Sequence, residues 1–85
     1  MSFSVHLGKR AERGLKGIPA ADLRRIFVAV NAMSADPLSG DVTKLKGTDT
    51  FRRRVGDYRI IFSIDFKMRS VAVLNVLRRS STTYR

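Results

Sequence analysis

The stretch FRRRVGDYRIIFSID, residues 51–65, decides the fold, because it joins two alternating runs through the turn signal Gly56-Asp57 and carries four arginines within nine residues. Read as a two-residue hairpin with glycine first, it sets Val55 opposite Tyr58, Arg54 opposite Arg59 and Arg52 opposite Ile61. Side chains alternate between the two faces of a strand. Arg52, Arg54 and Arg59 therefore share one face, while Phe51, Val55, Tyr58, Ile60 and Phe62 fall on the other and form the buried side. Arg53 lands among the apolar set and is the misfit of the pattern.

Like charges opposite each other across a strand pair destabilise it, and this set contains no acidic residue. A polyanion would relieve the repulsion; a solvated strand face that happens to be basic is the plain alternative. The charge of the whole chain favours the first reading. The formal net charge is +10, and after Thr43 there are eleven basic against three acidic residues, compared with six against four before it. A field of this sign, concentrated on the presumed sheet, implies nucleic acid or an acidic protein as partner. Anionic lipid fits less well, since no basic amphipathic helix accompanies the charge.

At 85 residues, 44% of them hydrophobic, the chain forms one domain with a single modest core. There is no cysteine, hence no disulfide and no thiolate metal site. The first residues, MSFSVHLGKR, lack an apolar secretion segment, and no stretch approaches the ~20 apolar residues of a membrane span. A cytoplasmic protein is expected.

Outward from the hairpin, residues 2–7 alternate and read as a first strand, with His6, the single histidine, on its outer side. Residues 9–16 suit a short basic helix ended by Gly17 and Ile18-Pro19, although Gly14 weakens it. From Pro19, Leu23, Ile26, Phe27, Val30 and Met33 follow helical spacing, so Phe27 and Met33 are expected in the core and Arg24 and Arg25 outside it. Residues 34–43 form a loop, and Lys44-Leu45-Lys46-Gly47 a short extended piece. After a turn at Phe66-Lys67, the run over 69–77 suits an interior strand buried on both faces. The tail adds Arg78, Arg79, Tyr84 and Arg85.

The available chemistry is narrow. One histidine, one glutamate and six scattered aspartates do not make a convergent metal site, and the isolated glycines do not make a phosphate loop. No cofactor is expected. Cations and a phenol remain, and these suit charge developing on a phosphate. RNA brings its own nucleophile, the 2′-hydroxyl, so its cleavage requires positioning and charge neutralisation rather than a metal. DNA lacks that group.

The segment from Lys44-Leu45-Lys46-Gly47 through Val55-Gly56-Asp57-Tyr58-Arg59-Ile60-Ile61-Phe62, followed by a hydrophobic strand ending in Arg78-Arg79 and a near-terminal Tyr84, resembles the RelE/ParE superfamily of toxins from bacterial toxin–antitoxin pairs. The resemblance implies an α+β domain over residues 1–85, with two N-terminal helices packed on a small antiparallel sheet that is mixed at its N-terminal strand. It further implies a metal-independent, ribosome-dependent mRNA endoribonuclease of the RelE-like branch, restrained by a cognate antitoxin. By position, Arg59, Arg78 and Tyr84 take the catalytic roles, with Lys44, Lys46, Arg52, Arg54 and Arg79 binding substrate. Some relatives carry lysines where this chain has Arg52 and Arg54. An arginine that stays protonated is a poor general base, which leaves Lys46 or Tyr84 for that role. The alternative is a ParE-like toxin that poisons DNA gyrase and cuts nothing.

Overall fold

The computed structural model describes residues 2–78. The elements run β1 (Ser4–Leu7), α1 (Lys9–Leu15), α2 (Ala20–Ala35), β2 (Val42–Lys44), β3 (Thr50–Val55), β4 (Tyr58–Asp65) and β5 (Ser70–Arg78). The strands form one sheet in the order β1-β5-β4-β3-β2. β1 pairs parallel with β5 and every other pair is antiparallel, so the α+β fold is mixed at its N-terminal strand as expected.

Both helices lie on one face of the sheet. The stripe Ile26, Ala29, Val30 and Met33 of α2 is buried against Tyr58, Ile60 and Phe62 of β4 and Val71, Val73 and Val76 of β5. Phe51 stacks on its cross-strand partner Phe62 with ring centroids 5.6 Å apart, which ties β3 to the same core. Phe27 departs from expectation: it is 40% exposed. At about 100° per residue it points well away from the buried stripe of Ile26, Ala29, Val30 and Met33.

β5 is interior to the sheet, as its apolar run suggested, but it is buried on one face only. Leu74 and Leu77 are 40% and 44% exposed, because both helices cover the opposite side. Element ends also shift. α2 runs on to Ala35, two residues into the expected loop, and the Asp36 side chain then accepts the Leu38 N–H in a tight turn. β2 begins at Val42, and Leu45 opens a turn whose ends are joined by Leu45 N–H to Thr50 O at 2.9 Å.

Gly14, the feature that argued against α1, proves necessary to it. A Cβ at this position would sit 2.4 Å from the carbonyl oxygen of Val76, so the absent side chain is what lets α1 lie directly on β5. Gly14→Ala gains up to ~1 kcal/mol of helix propensity, but overpacking against a backbone oxygen costs roughly 1–3 kcal/mol. Thermal unfolding of this variant should show a lower Tm than wild type. A higher Tm would mean that α1 and β5 are not in this contact.

Candidate functional site

The hairpin at the centre of the sequence has the register its residues dictate: Val55↔Tyr58, Arg54↔Arg59, Arg53↔Ile60 and Arg52↔Ile61. Gly56 takes φ +56°, the left-handed value that the first position of this turn requires and that glycine alone reaches without strain. The Arg54 N–H points away from β4 and donates to Asp41 O at 2.9 Å. Arg54 and Arg59 are thus a non-hydrogen-bonded pair, the kind whose side chains approach more closely.

On the face away from the helices, the register builds two adjacent rows. Thr43, Arg52, Ile61 and Asn75 line one; Arg54, Arg59 and Leu77 line the other, two residues and about 7 Å further along the strands. No strand residue of either row is acidic; Asp41, whose backbone oxygen accepts the Arg54 N–H, stands at the β2 end of the second row. Three arginines, the half-buried Ile61, the exposed Leu77 and an amide therefore meet on one open surface near the turn. The far end of the same face is small and polar, with His6, Ala72, Ser63 and Thr50 in register.

Arg53 sits on the covered side, and the structure accounts for it. Its guanidinium donates from Nη1 to Ser39 O at 2.8 Å and lies flat over Gly40, where an added Cβ would meet the guanidinium carbon at 2.5 Å. The arginine pins the loop after α2 against β3, at the cost of a buried Nε without a hydrogen-bond partner among the described residues.

A bulge decides the fate of the last strand. Between Ile61 and Phe62 the pairing slips by one residue, so Phe62 faces Val73, Ile61 faces Asn75, and Leu74 is extra. Beyond the bulge, the alternation of β5 is inverted. Val76 is buried, Asn75 and Leu77 come to the open face, and Arg78 pairs with Tyr58 on the covered side. Arg52, Arg54 and Arg59 are brought together, whereas Arg78 is not brought to their face. Lys44, opposite Phe51, also lies on the helix side at the edge strand, and Lys46 is an exposed residue of the β2–β3 turn. Arg79 and Tyr84 lie outside the described residues.

Two contributors were not singled out from sequence. The Tyr58 hydroxyl donates to Asp22 Oδ2 of α2 at 3.2 Å, a clamp between the helix and the start of β4. Arg25, one turn later on α2, reaches the hairpin tip, 3.4 Å from where a Gly56 Cβ would stand. Both residues follow from helix spacing once the end of the sheet over which α2 begins is known, but sequence alone does not supply that placement.

The residues 5–82 match the family model described as the ParE toxin of type II toxin–antitoxin systems, parDE. The chain belongs to this toxin family. Among solved structures, the toxin is similar to the archaeal RelE–RelB complex from Pyrococcus horikoshii, with TM-score 0.85 and 31% identity over 95% of this chain and 99% of that one. It is also similar to the RelBE2 toxin–antitoxin complex from Mycobacterium tuberculosis, with TM-score 0.80 and 27% identity over 93% of this chain and 100% of that one. A curated relative, the "Putative toxin RelE1" of Methanocaldococcus jannaschii, is 26% identical over 93% of this chain and 92% of its own length. The chain is therefore a type II toxin of the RelE/ParE superfamily. Among the described residues of this toxin, no group of three or more His, Cys, Asp or Glu residues is placed to hold a metal ion, and no helix is long and apolar enough to cross a membrane.

The Tyr58 clamp has a pH signature. Burial, then the hydrogen bond and charge of Asp22, raise its hydroxyl above the ordinary value of 10.0, against a smaller opposing pull from Arg78. A folded-state value above the unfolded one stabilises the fold below pH ~10 and is lost as pH rises through the folded value. Tyr58→Phe should therefore be less stable than wild type at pH 8, and chemical denaturation should show the gap closing as pH is raised past 10. A gap that stays constant to pH 11 would remove Tyr58 and Asp22 as a clamp.

Proposed function

We propose that this toxin is a ribosome-dependent mRNA endoribonuclease of the RelE-like branch, and that it works without a metal. The observation that carries the reading is the convergence of Arg52, Arg54 and Arg59 on one open sheet face with no acidic residue among their strand partners. Arginine forks match phosphate oxygens, and the 2′-hydroxyl of RNA supplies the nucleophile. In the reaction, the 2′-oxygen bonds to the adjacent phosphorus as the bond to the 5′-oxygen breaks. The 2′-hydroxyl proton passes to a base, and the leaving oxygen takes up a proton, giving a 2′,3′-cyclic phosphate and a 5′-hydroxyl. Arg59, paired with Arg54 and next to Leu77, neutralises the charge that develops on the non-bridging oxygens, and Arg52 and Arg54 bind the flanking backbone.

Arg78, paired with Tyr58 on the covered side of the sheet and away from the arginine face, is given no contact with the scissile phosphate. The open face offers arginines where a base is needed, and an arginine does not give up its proton. Tyr84 or Lys46 takes that role, with Arg79 adding charge to the substrate path. The RelE names of the P. horikoshii and M. jannaschii relatives support this branch. The antitoxin complexes of the similar structures support a cognate antitoxin, whose acidic or amphipathic segment covers the basic face. The ribosome supplies the alignment that this small face lacks.

The family model favours a second reading, a ParE-like toxin that binds DNA gyrase and cleaves nothing. Primer extension on a message in a purified translation system separates the two. Cleavage that appears only when ribosomes translate the message, and that falls roughly 10²–10³-fold in Arg59→Ala, is the expected result. Intact message and undiminished translation, with gyrase inhibited by the same protein, would overturn the proposal in favour of gyrase.

A further inference from the structure

The bulge in β5 does more than turn Arg78 away: it delivers an amide to the arginine face. Asn75 shares a row with Arg52 and Ile61, and Leu77 pairs with Arg59 in the next row. Leu74, the extra residue, is exposed beside them. Bulges re-aim side chains, and here the alternation that would have buried Asn75 and Leu77 with Val71 and Val73 is inverted so that both emerge.

The amide is also oriented. Asn75 Oδ1 accepts the N–H of Val76 at 2.9 Å, which fixes the oxygen toward the backbone, while the Nδ2 hydrogens make no bond within the described residues. Asn75 is half-buried, and within the described residues both N–H donors and the remaining lone pair of Oδ1 are left for a ligand on the open face. A donor and that lone pair complement the amine and N7 edge of adenine, the match that asparagine makes when it reads this base. Leu74, Leu77 and Ile61 around it offer an aliphatic floor for the flat, weakly hydrated face of a base, and the arginines lie within a strand's width to hold the phosphates on either side.

We infer that Leu74, Asn75 and Leu77 form a nucleobase subsite beside Arg59, in which a base of single-stranded RNA lies on the leucines and Asn75 reads it, with adenine preferred. The inference rests on the RNA-binding part of the reading above and adds to it a source of sequence preference. A protein partner would also bury two leucines and three arginines, but it would not require a half-satisfied amide at their centre, where a buried unpaired donor is costly.

Fluorescence anisotropy with the full-length toxin and labelled hexamers of adenosine, uridine and 7-deazaadenosine tests this without reference to cleavage. The wild type should bind the adenosine hexamer roughly fivefold or more tightly than the uridine hexamer. The 7-deaza hexamer, which lacks the N7 acceptor, should fall to the uridine level. Asn75→Asp keeps the acceptor for Val76 N–H but loses both donors, so it should abolish the adenosine-to-uridine ratio while leaving thermal unfolding cooperative. Asn75→Ala should do the same, with the salt dependence of uridine binding unchanged. Equal binding of adenosine and uridine hexamers by wild type, or a ratio that survives in Asn75→Asp, would overturn the subsite and assign the leucines to a protein partner. Loss of ribosome-dependent cleavage would not alter these ratios, and loss of the ratios would not abolish cleavage, so the two proposals fail separately.

Discussion

The pairing of Arg54 with Arg59 across a two-residue turn is the constraint around which the domain is arranged. Two cations held in a close, non-hydrogen-bonded pair, with Arg52 on the same face, oppose the formation of the very hairpin that carries them. The strands must therefore be held together from the other side. Phe51 stacked on Phe62, Ile60 and Phe62 beneath the buried stripe of α2, and the Tyr58 hydroxyl on Asp22 supply that hold. The left-handed Gly56 fixes the register, so a one-residue slip that would relieve the repulsion would also turn the core residues outward.

One side of the sheet thus provides the stability and the other is left free to carry charge. Arg53 is informative because it is the arginine on the wrong side for a polyanion. It finds a carbonyl acceptor in Ser39 and a flat glycine surface at Gly40, and so becomes part of the scaffold. The strand residues paired beside Arg52, Arg54 and Arg59 on the open face include no carboxylate. An arrangement in which local stability is given up at one surface is the usual mark of a functional site.

The hairpin register, the strand order of local pairs and the arginine face were legible because each depends on short-range rules: a glycine-first turn, a period of two, and opposite-face assignment. The misses share a different cause. Phe27 follows the helical period but lies at the margin of the stripe, and the buried position beside it is taken by Ala29. The apolar run of β5 cannot reveal how many helical layers cover the sheet. Nor does it declare its bulge, although Asn75 in the phase of Val71 and Val73 was a signal, since a polar residue at an expected core position asks for a break in alternation. That single extra residue sends Arg78 to the Tyr58 side and Asn75 and Leu77 to the open face. Arg79 and Tyr84 lie outside the described residues.

The account turns on charge repulsion being retained in the fold for the sake of a polyanion, and Arg54→Gln measures it directly. Its thermal stability and its affinity for a short single-stranded RNA should be followed in parallel at low and moderate salt. The account predicts a variant more stable than wild type by roughly 0.2–1 kcal/mol, with the gain shrinking as salt is added. The same variant should bind RNA more weakly, with a salt slope reduced by about one unit. A variant that is no more stable than wild type and binds RNA equally well would contradict it.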